Sequence, residues 1–137
     1  MKRITSEEGL ALIEQYQQKN LKGLDPNDAT ASYKALMKTH QYAYHFEAST
    51  EEPSYYGANR TRLLLEQIEP EIKKLGLHPV YYHVILLPTQ RARFMIDDFD
   101  ALGNFMQANE DIEKGWTLHE IDGDYCIITM HLIAIMD

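Results

Sequence analysis

Apolar residues recur at helical spacing through the first half of the chain, then alternate with a period of two beyond Pro79. Thr5 and Glu8 make a capping-box pattern ahead of Leu10, Ile13 and Tyr16, which predicts a first helix from about Ser6 to Lys19. Asp25-Pro26-Asn27-Asp28 is a helix-start signal, with Pro26 suited to the first helical position and acids favoured at the positive helix end. Ala29, Tyr33, Leu36, Met37, His40 and Tyr44 then fall on one stripe, and a second helix is expected to run to about Glu47. A third is expected from about Ala58 to Leu75, with Leu64, Leu65, Ile68, Ile72 and Leu75 inward. Gly76 stands at its C′ position, and Pro70 should kink or split it near Glu69.

Val80 to Leu87 is rich in β-formers, with Val80, Tyr82, Val84 and Leu86 on one side and Tyr81, His83, Ile85 and Leu87 on the other. Pro88-Thr89-Gln90 reads as a turn into a second arm, Arg91 to Ile96. Asp97 or Asp98 then caps a fourth helix carrying Phe99, Leu102, Phe105 and Met106. Trp116–Ile121 and Tyr125–Met136 read as a further hairpin about Asp122-Gly123-Asp124. The three-residue loop is preferred over the two-residue one because it separates apolar from mixed faces better. The expectation is a single α+β domain over residues 1–137, with three N-terminal helices followed by an antiparallel sheet of about four strands in ββαββ order.

Composition adds limits. With 137 residues, 45% hydrophobic and 25% charged, the chain falls in the ordinary globular class. A lone cysteine, Cys126, excludes an internal disulfide and fits a reducing compartment, so a cytoplasmic location is expected. No apolar run approaches the ~20 residues of a membrane span, and no membrane partner is expected. The net charge of −8 is concentrated late: between Asp97 and Asp124 nine acids face one base, Lys114. That sign opposes phosphate binding, and direct nucleic-acid contact is not expected.

Histidines are the main chemical candidates. His40 and His45 sit five apart on the expected second helix and would diverge. His83, His119 and His131 fall on the less apolar face of their strands. If those strands are neighbours, the three gather with Tyr81, Tyr125, Arg91 and Arg93 into a face suited to an anion or to a metal held by neutral imidazoles. The plainer reading is a half-buried sheet face under the N-terminal helices, each histidine hydrogen-bonded locally.

The acidic run fails the EF-hand pattern, because Asn109 stands where the bidentate glutamate is required. It reads as a solvated face or, more sharply, as a docking surface for a basic protein through Asp97, Asp98, Asp100, Glu110, Asp111 and Glu113. Phosphate-loop, dinucleotide and nucleophile-elbow motifs are absent. The function expected is therefore a non-catalytic protein-binding or regulatory module acting as a homodimer, with no cofactor. The alternative is a small metal- or anion-binding enzyme built on the histidine-bearing face.

Overall fold

A computed structural model describes residues 1–18, 30–50, 60–87, 100–109, 112–118 and 127–136. The chain opens on a strand, β1 (Lys2–Thr5), and continues as α1 (Ser6–Gln18), α2 (Thr30–Lys38), β2 (Tyr42–Thr50), α3 (Arg60–Leu75), β3 (Leu77–Leu87), α4 (Asp100–Ala108), β4 (Glu113–Leu118) and β5 (Ile127–Met136). Four strands in the order β1-β2-β5-β3 form an antiparallel sheet, and β4 joins the outer side of β3 in parallel. Helices are interspersed with strands, so the expected block of three N-terminal helices followed by ββαββ is corrected.

Local chemistry explains the elements. Thr5 caps α1: its hydroxyl accepts from the Glu8 backbone amide at 3.1 Å and donates to the Glu8 carboxylate at 3.2 Å. The helix start is tied to the turn before β2, where the Ser6 amide donates to the Gln41 carbonyl at 3.1 Å and the Ser6 hydroxyl to the His40 carbonyl. α2 stops at Lys38, where the Thr39 hydroxyl takes the Leu36 carbonyl at 2.7 Å and the His40 imidazole lies 2.9 Å from the same oxygen. Gly76 has φ of 64°, the left-handed conformation that a C′ residue needs. α3 runs unbroken through Pro70, so the expected split does not occur, and Leu75 is exposed rather than inward.

The main departure is β2. Tyr42 to Ala48 alternates as well as it fits a helical stripe, and the sheet decides: Ala43 and His45 point to one face, Tyr44, Phe46 and Ala48 to the other. The expected hairpin of residues 116–121 with 125–136 also fails. β5 takes β2 on one side and β3 on the other, while β4 lies beyond β3. The long apolar run of β5 suits such a central strand, whose two faces are both covered. The expected arm Arg91–Ile96 lies outside the described residues.

Two cores result. α3 and α4 pack on one face through Leu64, Leu65, Ile68, Leu102 and Phe105 against Phe46, Tyr82, Val84, Met130 and Leu132. α1 and α2 cover the other, with Ile13, Tyr16 and Met37 against Ala43, Tyr81, Ile133 and Ile135. Each fully buried aliphatic side chain contributes roughly 1.5–3 kcal/mol. A register shift between Pro79 and Tyr81 puts Val80 on the α1 face beside Tyr81, not with Tyr82 and Val84 as strict alternation requires.

Candidate functional site

Beneath α1 the sheet carries two adjacent rows of polar and aromatic side chains. In one row Lys2 of β1 stands opposite His45 of β2, which stands opposite Ile133 of β5, itself opposite Tyr81 of β3. In the next row Glu47 stands opposite His131, and His131 opposite His83. β-Pleating sends all these side chains to the α1 face.

Tyr16 descends from the third turn of α1 onto this surface. Its ring is nearly parallel to those of His131, His83 and Tyr81, with centroids 5.1, 5.3 and 6.1 Å away, which is an offset stack. The Tyr16 hydroxyl lies 3.3 Å from His45 Nε2, and that nitrogen lies 3.2 Å from His131 Nδ1. The two imidazoles are within 15° of parallel with centroids 5.4 Å apart. This exceeds the nitrogen separation by close to two ring radii, so the rings meet edge to edge in nearly one plane. Such in-line nitrogens suit an N–H···N hydrogen bond, in which one donates and the other accepts. Lone pairs aimed at each other do not converge on a third point, as tetrahedral metal ligands do.

The cluster is closed. His83 is fully buried, Tyr81 and Tyr16 are buried, and His45 and His131 are half-buried. Burial is the main cause that pushes the Tyr16 phenol up to about 12, with the Glu47 carboxylate adding to it, so the hydroxyl keeps its proton. Burial also lowers the His45 imidazole. Glu47 opposes that shift, while Lys2 and the N-terminal amine reinforce it. The His45–His131 contact has room for one N–H between its two ring nitrogens, next to a phenol that stays neutral.

Of the ligand-face candidates, His83, His131 and Tyr81 come together here, whereas His119, Tyr125, Arg91 and Arg93 lie outside the described residues. His45 and Tyr16 were not expected in the group. The alternation of residues 42–48 was the signal for His45; Tyr16 gave none beyond its place on the apolar stripe of α1. Among the acidic candidates Asp100 is exposed at the first residue of α4 and Glu113 begins β4, while Asp97, Asp98, Glu110 and Asp111 lie outside the described residues. Among the described residues no group of three or more His, Cys, Asp or Glu side chains is placed to hold a metal ion.

A separate groove of about 570 Å³ opens between α3 and α4, with Leu65, Ile72 and Phe105 in its floor. Its rim mixes Arg62 and Lys73 with Glu66 and Glu69, so it favours neither sign of ligand charge.

The fold defines a class of α/β domain with helices on both faces of a largely antiparallel sheet. Similar folds occur in thiamine monophosphate kinase from Aquifex aeolicus, with a TM-score of 0.52, 11% identity, and coverage of 93% of this chain and 41% of that one. They occur also in the hydrogenase maturation protein HypE of E. coli, with a TM-score of 0.54, 11% identity, and coverage of 94% and 44%. Another HypE structure matches at TM-score 0.51 and 13% identity, over 69% of this chain and 32% of that one. This chain spans less than half the length of each, and at such identities the likeness concerns the fold. No family model and no curated protein matches the sequence. Among the described residues no helix is long and apolar enough to cross a membrane.

Proposed function

We propose that this protein is a non-catalytic binding or regulatory module that acts as a homodimer and docks a basic protein partner on its acidic region. The observation that carries the reading is the closure of the histidine face. Of the imidazoles that made an enzyme thinkable, His83 and His131 lie under Tyr16 of α1, and His131 meets His45 edge to edge, an arrangement that supports packing more than turnover. The charge asymmetry supports the partner's sign, since the acids between Asp97 and Asp124 would attract a basic surface and repel nucleic acid.

The test is a titration of the full chain with a defined lysine- and arginine-rich peptide, alongside light scattering. The expected results are a particle of twice the 15.9 kDa chain mass and peptide binding that weakens as salt rises. Charge reversal at Asp97, Asp98 and Asp100 should weaken that binding at least tenfold with the circular dichroism unchanged. Equal affinity in the charge-reversed protein would remove the acidic docking surface, and a monomer at all concentrations would remove the dimer.

A further inference from the structure

We propose that the His45–His131 pair is a proton-operated latch that fastens α1 to the sheet near neutral pH and releases it in mild acid. The latch stands independently of the docking proposal, because it involves the imidazoles under α1 and none of the acids between Asp97 and Asp124.

The geometry sets the rule. Nδ1 of His131 and Nε2 of His45 face each other at 3.2 Å, so the contact accommodates one proton. With one proton, one ring donates and the other accepts. In the latch His131 Nδ1–H donates to His45 Nε2; a proton taken up by that Nε2 sets two N–H groups and one positive charge face to face, and the contact opens. Tyr16 transmits the opening. Its hydroxyl shares His45 Nε2 and its ring lies on His131, His83 and Tyr81, so separating the imidazoles dismantles the surface on which α1 rests.

Among the described residues, the groups facing the pair come from β1, β2, α1 and β3. From β1, Lys2 stands in register opposite His45, and the N-terminal amine acts in the same sense; both disfavour a second proton. From β2, Glu47 favours it. From α1, Tyr16 stays neutral, and β3 contributes His83 and Tyr81. Burial and the two cations outweigh the carboxylate, so closed His45 resists protonation relative to a solvated imidazole.

The sign of the linkage follows. A histidine held below its ordinary value of 6.5 makes the closed form bind fewer protons than the open form. Its contribution is complete above about pH 6.5 and is lost as pH falls from there toward the closed-state value. With one proton taken up per opening, protection falls about tenfold per pH unit in that window.

The experiment is amide hydrogen exchange on the full chain between pH 7.5 and 5.0, corrected for intrinsic rates. The α1 amides of residues 6–18 should lose protection below about pH 6.5 with a slope approaching tenfold per pH unit, while those of α3 and β5 hold theirs. His45→Gln, which is polar but does not titrate, should flatten the α1 response, and His78→Gln, outside the cluster, should leave it intact. If His45→Gln does not fold, His131→Asn replaces it, and the wild-type profile still decides. Equal α1 protection at both ends overturns the latch. So does a uniform loss over all elements, and so does a pH response that survives in the His45 variant.

Discussion

At the scale of single residues, Gly9 shows how closely α1 is set. A Cβ added there would come within 2.6 Å of the Met37 terminal methyl and 3.3 Å of the Ala43 Cβ. Met37 is fully buried, so its methyl has little room to retreat, although a flexible side-chain end yields more easily than backbone. Ala at this position should be nearly neutral, because the roughly 1 kcal/mol of helix propensity gained over Gly offsets the displaced methyl. Val should not be, since overpacking of this kind costs about 1–3 kcal/mol. We expect Gly9→Val to lower the unfolding free energy by about 2 kcal/mol in urea melts. A variant as stable as the wild type would mean that the α1–α2 contact is looser than the spacing implies. The same closeness keeps Tyr16 within reach of His45, so the glycine and the histidine cluster belong to one device.

At the scale of elements, α3 makes the sharpest case. Pro70 sits within a continuous helix on its exposed side, where it denies the Glu66 carbonyl its usual donor. An interior proline costs about 3 kcal/mol relative to Ala, less the roughly 0.4–1 kcal/mol it contributes by restricting the unfolded chain. Pro70→Ala should therefore raise stability by about 2 kcal/mol in a denaturant melt; unchanged or lower stability would assign the proline a packing role. The local rule for proline is why the sequence suggested a kink or split near Glu69, and burial by α3 is strong enough to carry one continuous helix through it. The capped start of α1, the Gly76 terminus of α3 and the strand character of residues 80–87 were all legible, because each depends on neighbours within a few positions. β2 was not, since residues 42–48 satisfy both periods and only pairing with β1 and β5 chooses between them. The position of β4 was equally hidden. Asp122-Gly123 argued locally for a hairpin, whereas parallel pairing depends on α4 as a crossover and on β3 having an open side. The half of the site on β3 and β5 was readable from alternation, and the half on β2 and α1 was lost with β2.

At the scale of the whole molecule, the two faces of the sheet are unequal. Among the described residues sixteen buried apolar side chains form the core under α3 and α4, and nine form the core under α1 and α2. The core under α1 and α2 borders the polar rows of His45, His131 and Glu47, which marks α1 as the layer to lift first. Such an ordering has a thermodynamic signature that a single cooperative unit lacks. Ile13→Ala removes contacts present only when α1 is closed, so it should speed exchange in α1 and lower global stability together, by about 2–5 kcal/mol. Leu64→Ala removes contacts that persist when α1 is open. It should lower global stability and the protection of α3 and β5 by a similar amount, yet leave the opening free energy of α1 where it was. Native-state hydrogen exchange on the two variants measures both quantities. If Leu64→Ala accelerated the α1 amides as much as those of β5, the two layers would be one folding unit. Acid would then unfold the molecule as a whole rather than unlatch one helix from its sheet.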